Sequence, residues 1–402
     1  MKIIFSVIVS FSLFTADGQV FWTNNAFVKR ANQNIVDSRN KPIKLNGVNL
    51  GGWLMWEGWI FGGGFTQEKK ILSGIENKLG KKASENFRDS LYSNFIKRQD
   101  IQKLAEQCLN TVRIPFNHTI LEDDNNPFIY KNSGWLLLDS VLKWCEDYNV
   151  YAVLDLHSAP GGQSKLFTAD PDEMDLWTSK INQDRTIQLW KAIANRYKNR
   201  GIIAGYDLLN EPDVKSNKIL SDLYQLIIDS IRTVDKNHLL FIEGNNFAQD
   251  FTMFDKLLDP NMAFEFHIYT WFTSLSKSLE KYKTLSKKFN VPVWCGEWGE
   301  NTLSNLRKTI NELRLPENNI SGNAFWTLKK QTKTFQFPCY QCFDKTKLWN
   351  KTTKWLDNKN EPEPTIKEIQ NGISEFLINI KMQNTIWNNP LKAILENCSF
   401  RN

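Results

Sequence analysis

Residues 203–211 read IAGYDLLNE, a run of small and apolar residues that stops abruptly at Asn210-Glu211. A short apolar run ending in polar residues reads as a strand buried on both faces, the kind found in parallel sheets. Outward from this run the same unit recurs. Similar runs lie at 43–49, 111–116, 151–157, 238–243, 262–269, 292–298 and 322–328. Helical patterns at 133–148, 184–198, 217–234, 275–289 and 302–314 alternate with them, two further helical stretches precede Cys108, and a last helix is expected at 364–380. Within 217–234, Ile219, Leu220, Leu223, Leu226, Ile227 and Ile231 recur at helical spacing, so one face buries against a sheet. Eight strands alternating with helices predict an α/β protein, a (β/α)8 TIM barrel forming a single catalytic domain. The competing open, doubly wound sheet prefers a Gly-rich phosphate loop after its first strand. Gly62-Gly63-Gly64 does not match GxGxxG, and the chain carries no P-loop.

The ends of the chain read differently from its body. Lys2, the apolar run 3–14 and the small residues Ala16-Asp17-Gly18 before Gln19 form a secretory leader, so residues 1–18 are expected to be removed, 19–385 to form the barrel and 386–402 to be a C-terminal tail. No later apolar run is long enough to span a membrane, and the final ENCSFRN is neither an anchor tail nor a retention signal. A secreted, extracellular protein without a membrane anchor is the expectation, and a monomer. With 402 residues, 41% hydrophobic and 23% charged, the chain is an ordinary globular protein that needs no metal to fold. The net charge of +6 is spread along the sequence without a basic block, which argues against a nucleic-acid partner. Its 15 Trp are many; most belong in the core, but sugar-stacking sites also use Trp.

Six cysteines suit an oxidising compartment. Cys339 and Cys342 read as a loop disulfide, within the pair or from it to another cysteine, since no second CxxC or His cluster accompanies them to make a zinc site. Cys108 and Cys145, each near the end of a helical stretch on the same side of the array, are placed to form another bridge; Cys295 and Cys398 stay unassigned. Sequons begin at Asn117, Asn319, Asn350 and Asn397, the first beside a strand expected to carry site residues.

In such a barrel, chemistry sits at the C-terminal ends of the strands. Polar groups gather there: Arg113 and Asn117, His157, Asn210 and Glu211, His267 and Tyr269, Glu297, and Trp326. Two carboxylates from different strands suit glycoside hydrolysis, in which one donates a proton to the leaving oxygen and the other attacks the anomeric carbon or activates water. Glu211 in YDLLNEP and Glu297 in VWCGEWG are that pair.

The strings LNGVNLGGW (45–53), NTVRIPF (110–116), VLDLHSAPGG (153–162), LLNEP (208–212), FEFHIY (264–269) and WCGEWG (294–299) resemble glycoside hydrolase family 5, the cellulase family, in its retaining (β/α)8 form. They account for every strand but the fifth. The resemblance implies Glu211 as general acid/base and Glu297 as nucleophile. It implies that Asn210 binds the 2-hydroxyl of the −1 sugar, that Arg113 keeps Glu297 ionised while burial keeps Glu211 in its acid form, and that Tyr269 orients Glu297. His157 and His267 are then expected to contact sugar or acid/base, with Trp326 as the stacking floor. GVNLGGWLMWE (47–57), LHSAPGGQS and FWTLKK (325–330) further resemble the exo-acting β-1,3-glucanases, where Glu57 would grip the terminal sugar, and Trp271 and Phe272 would clamp the +1 sugar. The sequence departs from that pattern in MWEGWIFGGGF (55–65) and in the Cys339–Cys342 loop.

The expected partner is therefore a β-glucan polysaccharide or oligosaccharide, with no cofactor and no metal, because the two carboxylates supply both proton transfer and nucleophile. An endo-β-1,4-glucanase or a β-mannanase would share the catalytic pair. A non-catalytic carbohydrate-binding scaffold would be expected to have lost one of the acids. A metal-dependent hydrolase would need clustered ligands such as HxH on the first strand, which has no His.

Overall fold

Apolar residues arriving in short runs, separated by amphipathic helices except after the fifth, where only a four-residue turn intervenes, close the sheet on itself. In the computed structural model, which describes residues 26–172, 175–270, 274–332, 338–358 and 360–396, eight parallel strands form a closed barrel. They are β1 (Leu45–Asn49), β2 (Thr111–Asn117), β3 (Tyr151–Ser158), β4 (Ile203–Asp207), β5 (Leu239–Glu243), β6 (Met262–Ile268), β7 (Val293–Trp298) and β8 (Ile320–Phe325). They pair in sequence order, and β8 returns to β1 with Gly322 opposite Leu45. The expected (β/α)8 architecture is present.

Boundaries shift where the chain leaves the barrel. β4 stops at Asp207 rather than Asn210, so Asn210 and Glu211 sit on the loop above it, and Glu211 adopts a left-handed backbone (φ 45°). β8 stops at Phe325. Residues Lys329–Gln331 instead join a small sheet with Gln341–Phe343 and Ile386–Trp387. Between β1 and β2 lie three helices rather than two: α1 (Glu68–Leu79), α2 (Lys81–Asn94) and α3 (Arg98–Glu106), the first two parted by Gly80 in a conformation open to glycine (φ 85°).

The helices α4 (Asn132–Tyr148), α5 (Lys180–Tyr197), α6 (Asn217–Arg232), α7 (Leu275–Phe289) and α8 (Leu303–Arg314) surround the barrel, each burying its apolar face. On α6, Leu220, Leu223, Ile227 and Ile231 are buried, whereas Ile219 and Leu226 are exposed, so the apolar stripe is narrower than the sequence suggested. Inside the barrel, Leu45, Val153, Ala204, Leu239, Phe241, Ala263, Trp294 and Ala324 form a separate apolar layer, with Val28 and Ile35 from the N-terminal segment packed against it.

Three features of the later chain depend on this packing. Lys329 is fully buried and donates to the carbonyls of Phe95 and Ile380, with Asp100 Oδ2 3.4 Å away. Residues 386–395, read from sequence as part of a tail, supply a strand to the small sheet and a short helix, Asn389–Leu395, whose last carbonyls accept from Arg314. Cys339 and Cys342 are bonded to each other.

The expected Cys108–Cys145 bridge is corrected. Cys145 is a free thiol in the core on α4, and Cys108, though disulfide-bonded, is not bonded to it. Facing the core rather than the neighbouring helix, Cys145 behaves as a small hydrophobe. Of the sequons, Asn117 is buried at the end of β2 and Asn350 is buried as well; the leader, Trp271, Phe272, Asn397 and Cys398 lie outside the described residues. Alkylation without reductant should leave Cys145 and Cys295 unlabelled in the native protein and label both after unfolding. Peptide mapping that finds Cys145 resistant in the unfolded chain would restore its bridge.

Candidate active site

Strand alternation lifts a charged layer above the apolar one. Val153, Phe241 and Ala263 face the lumen, and two residues further along their strands come Asp155, Glu243 and Glu265, all with no exposed surface. Arg113, from β2, lies among them, equally buried. Its Nη2 donates to Asp207 (2.6 Å), Asn210 Oδ1 (2.9 Å) and Glu243 Oε1 (3.1 Å), and its Nη1 to Asn49 Oδ1 (3.1 Å). Asp155 lies 3.0 Å from Nη1 and Glu265 3.1 Å from Nε; Glu297 is the most distant, at 3.5 Å. One guanidinium thus meets side chains from six of the seven other strands, all but β8. Glu265 fits only because residue 296 is glycine: a Cβ there would fall 1.5 Å from Glu265 Oε1.

So many carboxylates around one guanidinium cannot all stay ionised. Burial pushes Asp155, Asp207 and Glu243 up to about 7, and Glu265 well above the usual carboxylate range. Arg113 is itself held charged, the surrounding carboxylates outweighing the effect of burial.

The upper layer is the candidate catalytic centre. His267, two residues beyond Glu265, places Nδ1 2.8 Å from Glu211 Oε1 and Nε2 3.2 Å from Glu243 Oε1. The Tyr269 hydroxyl donates to Glu297 Oε1 at 2.5 Å. His157 is anchored through Nδ1 on Asp155 (2.7 Å) and stacks face to face on Trp326, with ring centroids 5.3 Å apart and planes within 13°. Glu57, almost fully buried, accepts from the Trp59 indole at 2.5 Å. One carboxylate oxygen each of Glu211 and Glu297 and a nitrogen of His267 lie within 4.8 Å of one another. Glu211, Glu297, His157, Asn210, His267, Tyr269, Trp326 and Glu57, all singled out from sequence, therefore gather above Arg113, whereas Asn117, singled out with them, donates to Asp170 and accepts from the Thr119 amide.

Their charges differ from the expected division. Burial favours the neutral form of His267, but Glu243, Glu297 and Glu211 together push it well above the ordinary imidazole range, leaving an imidazolium. Burial would likewise raise Glu211, yet the hydrogen bond and charge of His267 hold it below the usual carboxylate range. Glu297 is raised by burial and by the negative charge of Glu211, against the pull of His267 and Arg113. Arg113, expected to keep Glu297 ionised, does pull it in that direction, but its closest contacts go to Asp207 and Asn210 and burial outweighs it. Burial and Arg113 drive His157 down to about 3, so it is neutral, and burial and Glu297 push Glu57 up.

Asn49, Asp155, Asp207, Glu243 and Glu265 were missed from sequence. The signal was present: VLDLH, GYDLL, FIEG and FEFH each place one acid inside an otherwise apolar strand, and TVRIPF one cation. A buried charge needs a partner, so four acids and an arginine in such positions imply a shared cluster. Two groups also have the composition of a metal site, Glu211–His267–Glu297 and Glu243–Glu265–His267. They share His267, whose two nitrogens already face Glu211 and Glu243, and Arg113 stands 3.1 Å from both acids of the second group. The positive charge balancing these acids is the protein's own.

Folded-state pKa values raised above those of the unfolded chain stabilise at low pH, and the stabilisation is lost as pH climbs through the folded values. The carboxyls at about 7 and the raised His267 share that sign, while His157, depressed to about 3, opposes it only below the ordinary imidazole range. The melting temperature should therefore fall as pH rises from about 6 to 8. A calorimetric series in which it climbs across that interval would contradict the charged layer.

Comparison with known proteins places this geometry. The family model Cellulase (glycosyl hydrolase family 5) matches residues 72–332. A β-xylosidase of Phanerodontia chrysosporium is 34% identical over 294 residues, covering 68% of this chain and 62% of that protein. A probable glucan 1,3-β-glucosidase A of Aspergillus clavatus is 25% identical over 301 residues, covering 70% and 71%. The chain thus spans about three-fifths of the length of the first of these relatives. Among solved structures, a β-glucanase of Saccharophagus degradans in complex with cellotetraose superposes with a TM-score of 0.56 over 92% of this chain and 97% of that one; at 16% identity the likeness is one of fold. The chain belongs to glycoside hydrolase family 5, the cellulase family.

Proposed function

We propose that this chain is a secreted retaining β-glycosidase that cleaves β-glucans, β-1,3-linked glucan foremost, from a chain end. The observation that supports the reading is the approach of Glu211 and Glu297, one carboxylate oxygen of each lying within 4.8 Å of the other. Retaining enzymes hold their two carboxyl groups at roughly 5–5.5 Å, whereas inverting enzymes need roughly 6.5–9.5 Å to admit a water.

In this reading Glu297 attacks the anomeric carbon, the bond to the leaving oxygen breaks, and that oxygen takes a proton from Glu211. The proton is stored on the Glu211–His267 pair: Nδ1 of the imidazolium stands 2.8 Å from Glu211 Oε1. As Glu297 becomes an ester it loses its negative charge, one of the charges that hold His267 protonated. The proton then moves toward Glu211 as the leaving group needs it. In the second half, Glu211 takes a proton from water, which attacks the glycosyl ester and frees a β-anomer. Tyr269 aims Glu297, Asn210 meets the 2-hydroxyl, and Trp326, braced from behind by His157, provides the floor. Exo action is supported by Glu57, held in its acid form beside both carboxylates by burial and by the charge of Glu297. The resemblance to a probable glucan 1,3-β-glucosidase supports the linkage.

The expected result with laminarin is early release of glucose alone, as the β-anomer by proton NMR. A ladder of oligosaccharides, or turnover only of a soluble β-1,4-glucan or a β-xyloside, would overturn the linkage and end-group assignment but keep the catalytic pair. Glu297→Gln should lower kcat about 10³-fold or more at unchanged fold. Full activity in that variant would remove Glu297 from the chemistry. The pH profile of kcat/KM should be bell-shaped, with limbs belonging to the coupled Glu211–His267–Glu297 set rather than to single residues.

A further inference from the structure

We propose that Glu243, the last residue of β5, is a positioning residue that sets both the place and the charge of the acid/base; this rests on the assignment of Glu211 made above. β5 is the strand to which no matching string could be assigned, and Glu243 is fully buried at its end. Its carboxylate is divided between two tasks. Oε2 accepts the backbone N–H of Glu211 at 2.6 Å. Oε1 lies 3.2 Å from His267 Nε2 and accepts from Arg113 Nη2 at 3.1 Å. The Tyr224 hydroxyl on α6 donates to the Glu243 carbonyl at 3.1 Å and pins the strand end.

The first task answers a backbone problem. Glu211 is a non-glycine residue in the left-handed region, which persists only where its surroundings hold it. Glu243 holds it by its amide, and so fixes where its carboxyl points. The second task is electrostatic. The groups facing His267 are Arg113 from β2, Asp155 and His157 from β3, Asp207 and Glu211 from β4 and the loop above it, Glu265 from β6, Cys295 and Glu297 from β7, and Tyr282 from α7. Among these and Glu243, Glu243 contributes most to keeping the ring cationic. One carboxylate therefore grips the acid/base by its backbone and by the imidazole hydrogen-bonded to its side chain.

Glu243→Gln keeps an acceptor for the Glu211 amide but removes the negative charge that Glu243 carries above about pH 7; Glu243→Ala removes both. Removing an anion lowers the proton affinity of the Glu211–His267 pair. In Glu243→Gln the alkaline limb of kcat should accordingly move to lower pH, kcat should fall about 10- to 100-fold, and KM should stay within about threefold. Histidine ring ¹⁵N NMR of the full chain should show His267 losing its proton at lower pH than in the parent. A purely structural Glu243 would lower the melting temperature and leave the limb and the His267 titration where they were. Should Glu243→Ala not fold, Glu243→Gln carries the test alone. Unchanged kcat, limb and His267 titration in Glu243→Gln would overturn the proposal. A parent protein that turns over no β-glycoside would overturn the functional assignment, while the His267 titration would still decide whether Glu243 governs that ring.

Discussion

One guanidinium in the middle of the barrel organises the rest. A cation withdrawn from water is tolerable only when surrounded by acceptors, and leaving one of them out strands a buried charge. Arg113 satisfies this by drawing in side chains from β1 and from β3 through β7. The constraint runs outward in both directions. Below, the layer must be apolar so that the ionic one is not hydrated; above, the groups that reach Arg113 fix the heights from which His157, Asn210, His267 and Glu297 extend. The candidate site is the top of a column built in layers from the strand alternation.

That column explains why the resting charges depart from a simple acid-plus-nucleophile picture. Four buried carboxyls take the closest places around Arg113 and offset its charge, so Glu297 at 3.5 Å is only partly held down by it, and the four are pushed toward their acid forms. His267 becomes the second cation of the lumen because Glu243 lies under one nitrogen and Glu211 beside the other. Glu211 and His267 consequently share a proton in the substrate-free protein. In the proposed reaction that proton is the one donated, and residues beneath that never meet the sugar set how readily it leaves.

Much of this was legible in the sequence, and unevenly so. The strands announced themselves because a strand buried on both faces must be apolar throughout, and the polar residues at their ends stood out against that background: Glu211 after GYDLL and Glu297 after VWCG. The interior acids were hidden by the same logic, since Asp155, Asp207 and Glu265 read as interruptions of apolar runs whose partners lie far away in sequence. Their significance depends on a lumen that exists only once the barrel closes. Loop geometry was less legible still. β4 stops three residues short of Asn210 because the chain turns out of the sheet there, and Glu211 enters a backbone region that composition does not announce. Cys145 misled for a related reason: helical spacing gave its neighbourhood but not whether its face looked to the core or across to Cys108.

The buried Lys329 has a consequence for how the ring holds shut. A barrel has one seam, where its first and last strands meet after the whole length of the chain has been laid down. Lys329 follows the last strand, and its ammonium reaches Phe95 and Asp100, which precede the second strand, and Ile380 near the end of the described chain. It is a latch across that seam, tying early, late and terminal segments to a single charge. A fold closed this way does not divide into half-barrels that come apart independently, because the last strand is secured to residues in the first quarter of the sequence.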